Sequence, residues 1–133
     1  MSQKKVTICA SIAFLDDISI WKEKLKNDGY DVVQYPKKLI GEFLPSYKVE
    51  FTEHYQKMAE SDIVLILNMK KKGVDGYIGA AVFAEIAFAI GLNRTSRYDK
   101  KIDVYCLNHF PNSLPHAEEL QYWVDLGWLK FWN

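Results

Sequence analysis

The chain has 133 residues, 49% of them hydrophobic and 14% aromatic, which suits one domain with a real core and excludes a disordered chain. Its 17 Lys and Arg balance 17 Asp and Glu, and the zero formal charge gives no support to a nucleic-acid or membrane-surface role. No apolar run reaches the ~18 residues that span a bilayer, and the polar start Met1–Lys5 lacks a signal-peptide core, so a cytoplasmic domain is expected.

Lys5–Cys9 is short, apolar and β-branched, and predicts a first strand. Asp16 and Asp17 offer helix caps. Ile18, Trp21 and Leu25 follow at helical spacing, with Lys22, Glu23, Lys24 and Lys26 on the other face. Gly29 is placed to stop that helix. Tyr30–Tyr35 predicts a second strand, closed by Pro36. Lys37–Ser46 reads as a loop because it carries Gly41 and Pro45. Lys48–Glu60 predicts a second helix, with Phe51, Tyr55 and Met58 on the face turned to the sheet.

Asp62–Asn68 is a continuous apolar run, as in a parallel strand buried on both faces. A Gly- and Lys-rich loop, Met69–Gly79, leads to a very apolar helix, Ala80–Leu92. Asn93–Lys101 is a polar connection, and Ile102–Leu107 a fourth strand. Pro115–Val124 predicts a last helix, and Trp128–Trp132 a short terminal strand. Alternating strands and helices predict an α/β fold: a doubly wound, flavodoxin- or Rossmann-like parallel sheet of about five strands with helices on both faces. Ligands of such folds bind beyond the carboxyl ends of the strands. The loops Ala10–Leu15, Met69–Gly79 and Asn108–Leu114 are therefore the expected binding loops.

Cys9 and Cys106 both fall in apolar strands and read as buried thiols of a reducing compartment. No CxxC or clustered His/Cys spacing suggests a metal, and no GxGxxG follows the first strand, so neither metal nor cofactor is expected. Glu85 carries the sharpest signal. It is the one charged side chain in Ala80–Leu92, and a buried lone carboxylate is costly unless something compensates it. It serves either chemistry or a hydrogen bond at a subunit contact. The loop before it places Gly73, Gly76 and Gly79 at spacing three, either to let backbone approach a ligand or as a solvated surface loop. Ser11 can donate to a phosphate or sugar, or simply begin a helix. His54 reads as an acid/base group or as a core-edge histidine satisfied by hydrogen bonds. The aromatic tail, Tyr122, Trp123, Trp128, Phe131 and Trp132, suits either a subunit contact or a plain core strand.

Four segments together resemble a known family. VTICASIAF, the Glu-His-Tyr helix ending in ESDIVLILN, the loop KKKGVDGYIG and the helix AAVFAEIAFAIGLN look like the nucleoside 2-deoxyribosyltransferase superfamily, close to its small bacterial members. That superfamily includes the 2′-deoxynucleoside 5′-phosphate N-glycosidases. The resemblance runs from Val6 to Leu107. It implies a homodimer or higher homo-oligomer that cleaves the N-glycosidic bond of a nucleoside or nucleotide. It implies Glu85 as the nucleophile and Ser11 as a phosphate contact. Ala10, Asn68, Gly76 and Gly79 complete the candidate substrate-binding set, with no nucleic-acid or membrane partner. The chain departs from the family pattern at four places. Thr7 stands where a Tyr is usual, Ala10 for Gly, His54 for the acid that protonates the base, and Gly79 for the acid that holds the sugar. A histidine titrates near neutrality and can itself act as the acid. The rival reading is a non-catalytic nucleotide-binding or sensor domain that kept the pocket.

Overall fold

The computed structural model describes residues 3–95 and 101–133. Five strands and four α-helices alternate: β1 Lys5–Cys9, α1 Leu15–Asn27, β2 Asp31–Gln34, α2 Phe43–Glu60, β3 Ile63–Ile66, α3 Ala80–Thr95, β4 Asp103–Cys106, α4 Ala117–Asp125 and β5 Lys130–Phe131. Among the described residues these five strands pair in parallel, in the order β2-β1-β3-β4-β5.

The apolar run of β3 explains its central place. Its alternate residues supply both cores. Val64 and Ile66 join Cys9, Val104 and Cys106 under Met58 of α2, Val82, Ile86 and Ile90 of α3, and Leu120 of α4. Ile63, Leu65 and Leu67 join Val6 and Ile8 under Ile18 and Leu25 of α1. Helices thus cover both faces, and the sheet is the doubly wound α/β sheet expected. Each fully buried Leu or Ile stabilises this arrangement by roughly 1.5–3 kcal/mol.

The element ends show local causes. Ser11, not Asp16 or Asp17, provides the cap: its Oγ accepts from the Ala13 N–H at 3.2 Å and opens a short 3-10 turn that runs into α1. The two aspartates lie in the first turn of α1, where the helix dipole favours them. Gly29 does end α1, at φ 94°, with Gly29 N bonding Lys26 O and Tyr30 N bonding Leu25 O. Helix α2 begins at Phe43, five residues before the expected start. Pro45 falls in its first turn, where a missing N–H costs nothing. Helix α3 continues to Thr95, with Asn93 bonding both the N–H and the carbonyl of Ile102. The rest of the predicted polar connection, up to residue 100, lies outside the described residues. Trp123, Trp128 and Phe131 pack on the core, and Trp132 meets Tyr30 and Tyr105, while Tyr122 is half exposed. Among the described residues no helix is long and apolar enough to cross a membrane.

Both cysteines are buried and unpaired with each other. Burial pushes the Cys106 thiol from 9.0 up to about 12. A folded-state pKa raised in this way adds stability that is complete below pH 9.0 and is lost as pH rises through about 12. Urea unfolding across that window should show stability falling with pH, and Cys106→Ala should flatten the fall. An unchanged slope in the variant would contradict the assignment.

Candidate functional site

The chain steps outward from β1 to β2 and then returns to β3 on the other side, so the strand order reverses between β1 and β3. Above the carboxyl ends of β1 and β2, where α2 and α3 lean together, lies a cavity of about 610 Å3. That volume suits a small organic ligand. Its walls come from Ala10 and Ile12 after β1, from residues 36–39 after β2, from one side of α2, and from Ala81, Ala84 and Glu85 on α3.

The side of α2 that lines it is aromatic. Phe43, Tyr47, Phe51 and Tyr55 succeed one another at i, i+4 spacing with centroids 5.5, 5.7 and 4.3 Å apart, and Tyr55 meets Phe88 of α3 edge-on at 4.9 Å. Sequence periodicity placed Phe51 and Tyr55 toward the sheet. The correction has a simple cause: His54 and Met58 take the buried positions, and Phe51 and Tyr55 stand one step round the helix, facing the cavity. The short Ala81 and Ala84 side chains leave room opposite them.

At the floor, three side chains from β1, α2 and α3 converge. His54 Nε2 lies 3.4 Å from Glu85 Oε1 and 3.5 Å from Cys9 Sγ. Cys9 is fully buried, His54 is 6% exposed, and the Glu85 side chain keeps 16% of its surface. The lone carboxylate of α3 therefore has a partner, and it faces a cavity rather than a solvated surface. Burial, and then the Glu85 carboxylate beside it, push the Cys9 thiol well above its usual range. Burial and Glu85 also push the Tyr55 hydroxyl up to about 12. Both groups are neutral at pH 7.

Gln34, at the carboxyl end of β2, sets the histidine. Its Oε1 accepts from Lys37 Nζ at 3.3 Å, and its Nε2 donates to Glu50 Oε1 at 2.9 Å and faces His54 Nδ1 at 3.3 Å. A lysine only donates and a carboxylate only accepts, so these neighbours fix the amide orientation. Nδ1 of neutral His54 is then the acceptor, and its proton sits on Nε2, aimed at Glu85 and Cys9. Glu50 and Lys37 lie 3.8 Å apart at the rim.

The other predicted positions divide. Ala10 lines the cavity, and Ser11 follows it, bonded to Lys71 Nζ at 3.1 Å. Asn68 does not line it. Its side chain is buried, accepts from Asn108 N at 2.9 Å and donates to Asn108 O at 2.6 Å, which ties the ends of β3 and β4 together. Gly76, at φ 68°, lies against the backbone of His109, with no space for a Cβ. Gly79 precedes α3 and gives its carbonyl to Phe83 N, and neither glycine lines the cavity. Lys71, Lys72, Gly73 and Val74 form a tight turn with Lys72 and Gly73 at positive φ. The expected binding loops Met69–Gly79 and Asn108–Leu114 therefore buttress each other, and residues 36–39 with α2 take their place at the cavity. Glu50 and Gln34 are the polar residues that pattern reasoning missed. The available signal for Glu50 was its place one helical turn before His54 on α2. No family model, curated protein or solved structure matches the chain.

Proposed function

We propose that the chain is a nucleoside or nucleotide N-glycosidic-bond hydrolase or transferase with Glu85 as nucleophile. One observation carries this reading: the Glu85 carboxylate, 3.4 Å from the Nε2–H of His54, stands at the floor of a largely apolar cavity walled by aromatic rings. The resemblance to the nucleoside 2-deoxyribosyltransferase superfamily supports it, because Glu85 matches the nucleophile of that family.

The chemistry follows from the parts. A nucleobase lies against the flat faces of Tyr47, Phe51 or Tyr55. A Glu85 oxygen attacks the anomeric carbon as the bond from that carbon to the base nitrogen breaks. With the imidazole protonated on both nitrogens and Gln34 turned so that its carbonyl accepts from Nδ1–H, the Nε2 proton of His54 passes to the departing base and leaves the neutral imidazole. The product is a glycosyl ester on Glu85 and a neutral base. The imidazole then takes a proton from water, whose oxygen attacks the same carbon and frees Glu85, by the logic of retaining glycosidases. If a second base attacks instead of water, the outcome is transfer. Glu50, at the rim, is the carboxylate available to hold a sugar hydroxyl, a task that Gly79 cannot perform.

The test is release of free base, followed by chromatography, from a panel of deoxynucleosides, ribonucleosides and their 5′-monophosphates. Release from one class supports the reading and names its substrate. His54→Gln should lower kcat by about 10²–10⁴-fold and remove one limb of the pH profile. A non-catalytic nucleotide-binding domain is the second reading. It is favoured by Gly79, and by Asp75, the nearest acid in that loop, standing exposed away from the cavity. Thermal stabilisation by one of the same compounds without base release would select it.

A further inference from the structure

We propose that Cys9, His54 and Glu85 form a binding site for a borderline-soft divalent cation of the zinc class, at the floor of the cavity. The three side chains are brought together by the end of β1, the interior of α2 and the first turns of α3, although nothing in their sequence spacing signals a metal. Among the described residues they are the one set of three such groups whose ligand atoms all lie within 4.8 Å of one another.

The distances match what a tetrahedral ion demands. Zinc bonds of about 2.3 Å to sulfur and about 2.0–2.1 Å to nitrogen and oxygen place sulfur and nitrogen roughly 3.5 Å apart, and nitrogen and oxygen roughly 3.3–3.4 Å apart. Cys9 Sγ and His54 Nε2 are 3.5 Å apart, and His54 Nε2 and Glu85 Oε1 are 3.4 Å apart. The remaining edge, sulfur to carboxylate, is within 4.8 Å. The donor set also suits the ion. A thiolate, a neutral imidazole and a carboxylate leave a bound dication without net charge, which a buried site requires. His54 and Glu85 line the cavity, so the fourth coordination position opens into it.

Coordination has a definite proton balance. The Cys9 thiol gives its proton to solvent and binds as thiolate. The imidazole proton moves from Nε2 to Nδ1, and Gln34 turns its amide so that the carbonyl accepts it, giving up its bonds to both Glu50 and Lys37. No electron is transferred. Gln34 therefore opposes the metal in the free protein, and a carboxylate in its place would favour it, as in the carboxylate–histidine pairs that support zinc ligands. On the glycosidase reading, which this inference does not need, a bound ion removes Glu85 and His54 from catalysis and zinc inhibits base release.

Cobalt(II) is the probe, titrated into the reduced full chain and read by absorption. The wild type should show a thiolate-to-cobalt charge-transfer band and intense tetrahedral d–d bands, bleached by added zinc. Cys9→Ser should lose the charge-transfer band and bind at least about ten-fold more weakly, and Gln34→Glu should bind about ten-fold more tightly. Absence of the charge-transfer band in the wild type, or its persistence in Cys9→Ser, would overturn the proposal. Circular dichroism of each variant verifies that it is folded. Because the readout is spectral, failure of base release leaves it untouched, and failure of cobalt binding leaves the glycosidase reading standing.

Discussion

Glu85→Gln should abolish base release, lowering kcat by on the order of 10⁴–10⁶-fold, with little change in the thermal transition. The amide keeps the shape of the carboxylate and its place beside His54, whose Nε2 lies 3.4 Å from Glu85 Oε1 in the native protein. It loses the negative charge that attack on the anomeric carbon requires. Packing around the residue is undemanding, since Ala81 and Ala84 beside it face the cavity and Glu85 itself keeps part of its surface. Substrate binding should persist, because the aromatic wall on α2 does not depend on this charge. Undiminished turnover in the variant would remove Glu85 from the mechanism.

Gly76→Ala should be the most damaging small substitution in the loops. Gly76 sits at φ 68°, which a side chain disfavours by about 1–2 kcal/mol. A Cβ would also run into the carbonyl of His109, and backbone has little freedom to retreat. Overpacking of this kind adds about 1–3 kcal/mol. Together these give about 2–5 kcal/mol and a melting temperature lowered by roughly 10 °C or more. Gly73→Ala is the matched control. Gly73 has a φ of 75° but nothing within 4 Å of its Cβ position, so only the conformational cost applies. Equal melting temperatures for the two variants would contradict the packing role assigned to Gly76.

The parts of this molecule that could be read from its sequence are those governed by local rules. Asp62–Asn68 announced a parallel strand buried on both faces, and every residue of β3 is buried. Glu85 stood out because its helix carries no other charge over Ala80–Leu92. Gly29 signalled the end of α1 because the left-handed stop needs a residue without Cβ. The start of α2 was hidden by Gly41 and Pro45, which resemble loop punctuation although Pro45 is harmless in a first helical turn. Losing that turn from view hid Phe43 and Tyr47, and with them most of the cavity wall. The glycines of the loop before α3 drew attention as a ligand cradle, yet Gly76 answers to the backbone of His109 and Asn68 answers to Asn108. Convergence of Cys9, His54 and Glu85 could not be read at all. It depends on parallel strand pairing and on two helices from separate parts of the chain meeting over one end of the sheet.

The most direct measurement is acid quench of the protein with a 2′-fluorinated nucleoside substrate, followed by peptide mapping with mass spectrometry. Fluorine destabilises the oxocarbenium-like transition states, so the glycosyl-enzyme persists long enough to be caught. The account predicts a sugar adduct on the peptide that contains Glu85, absent from Glu85→Gln. Base release with no adduct on Glu85, or with the adduct on another residue, would contradict it.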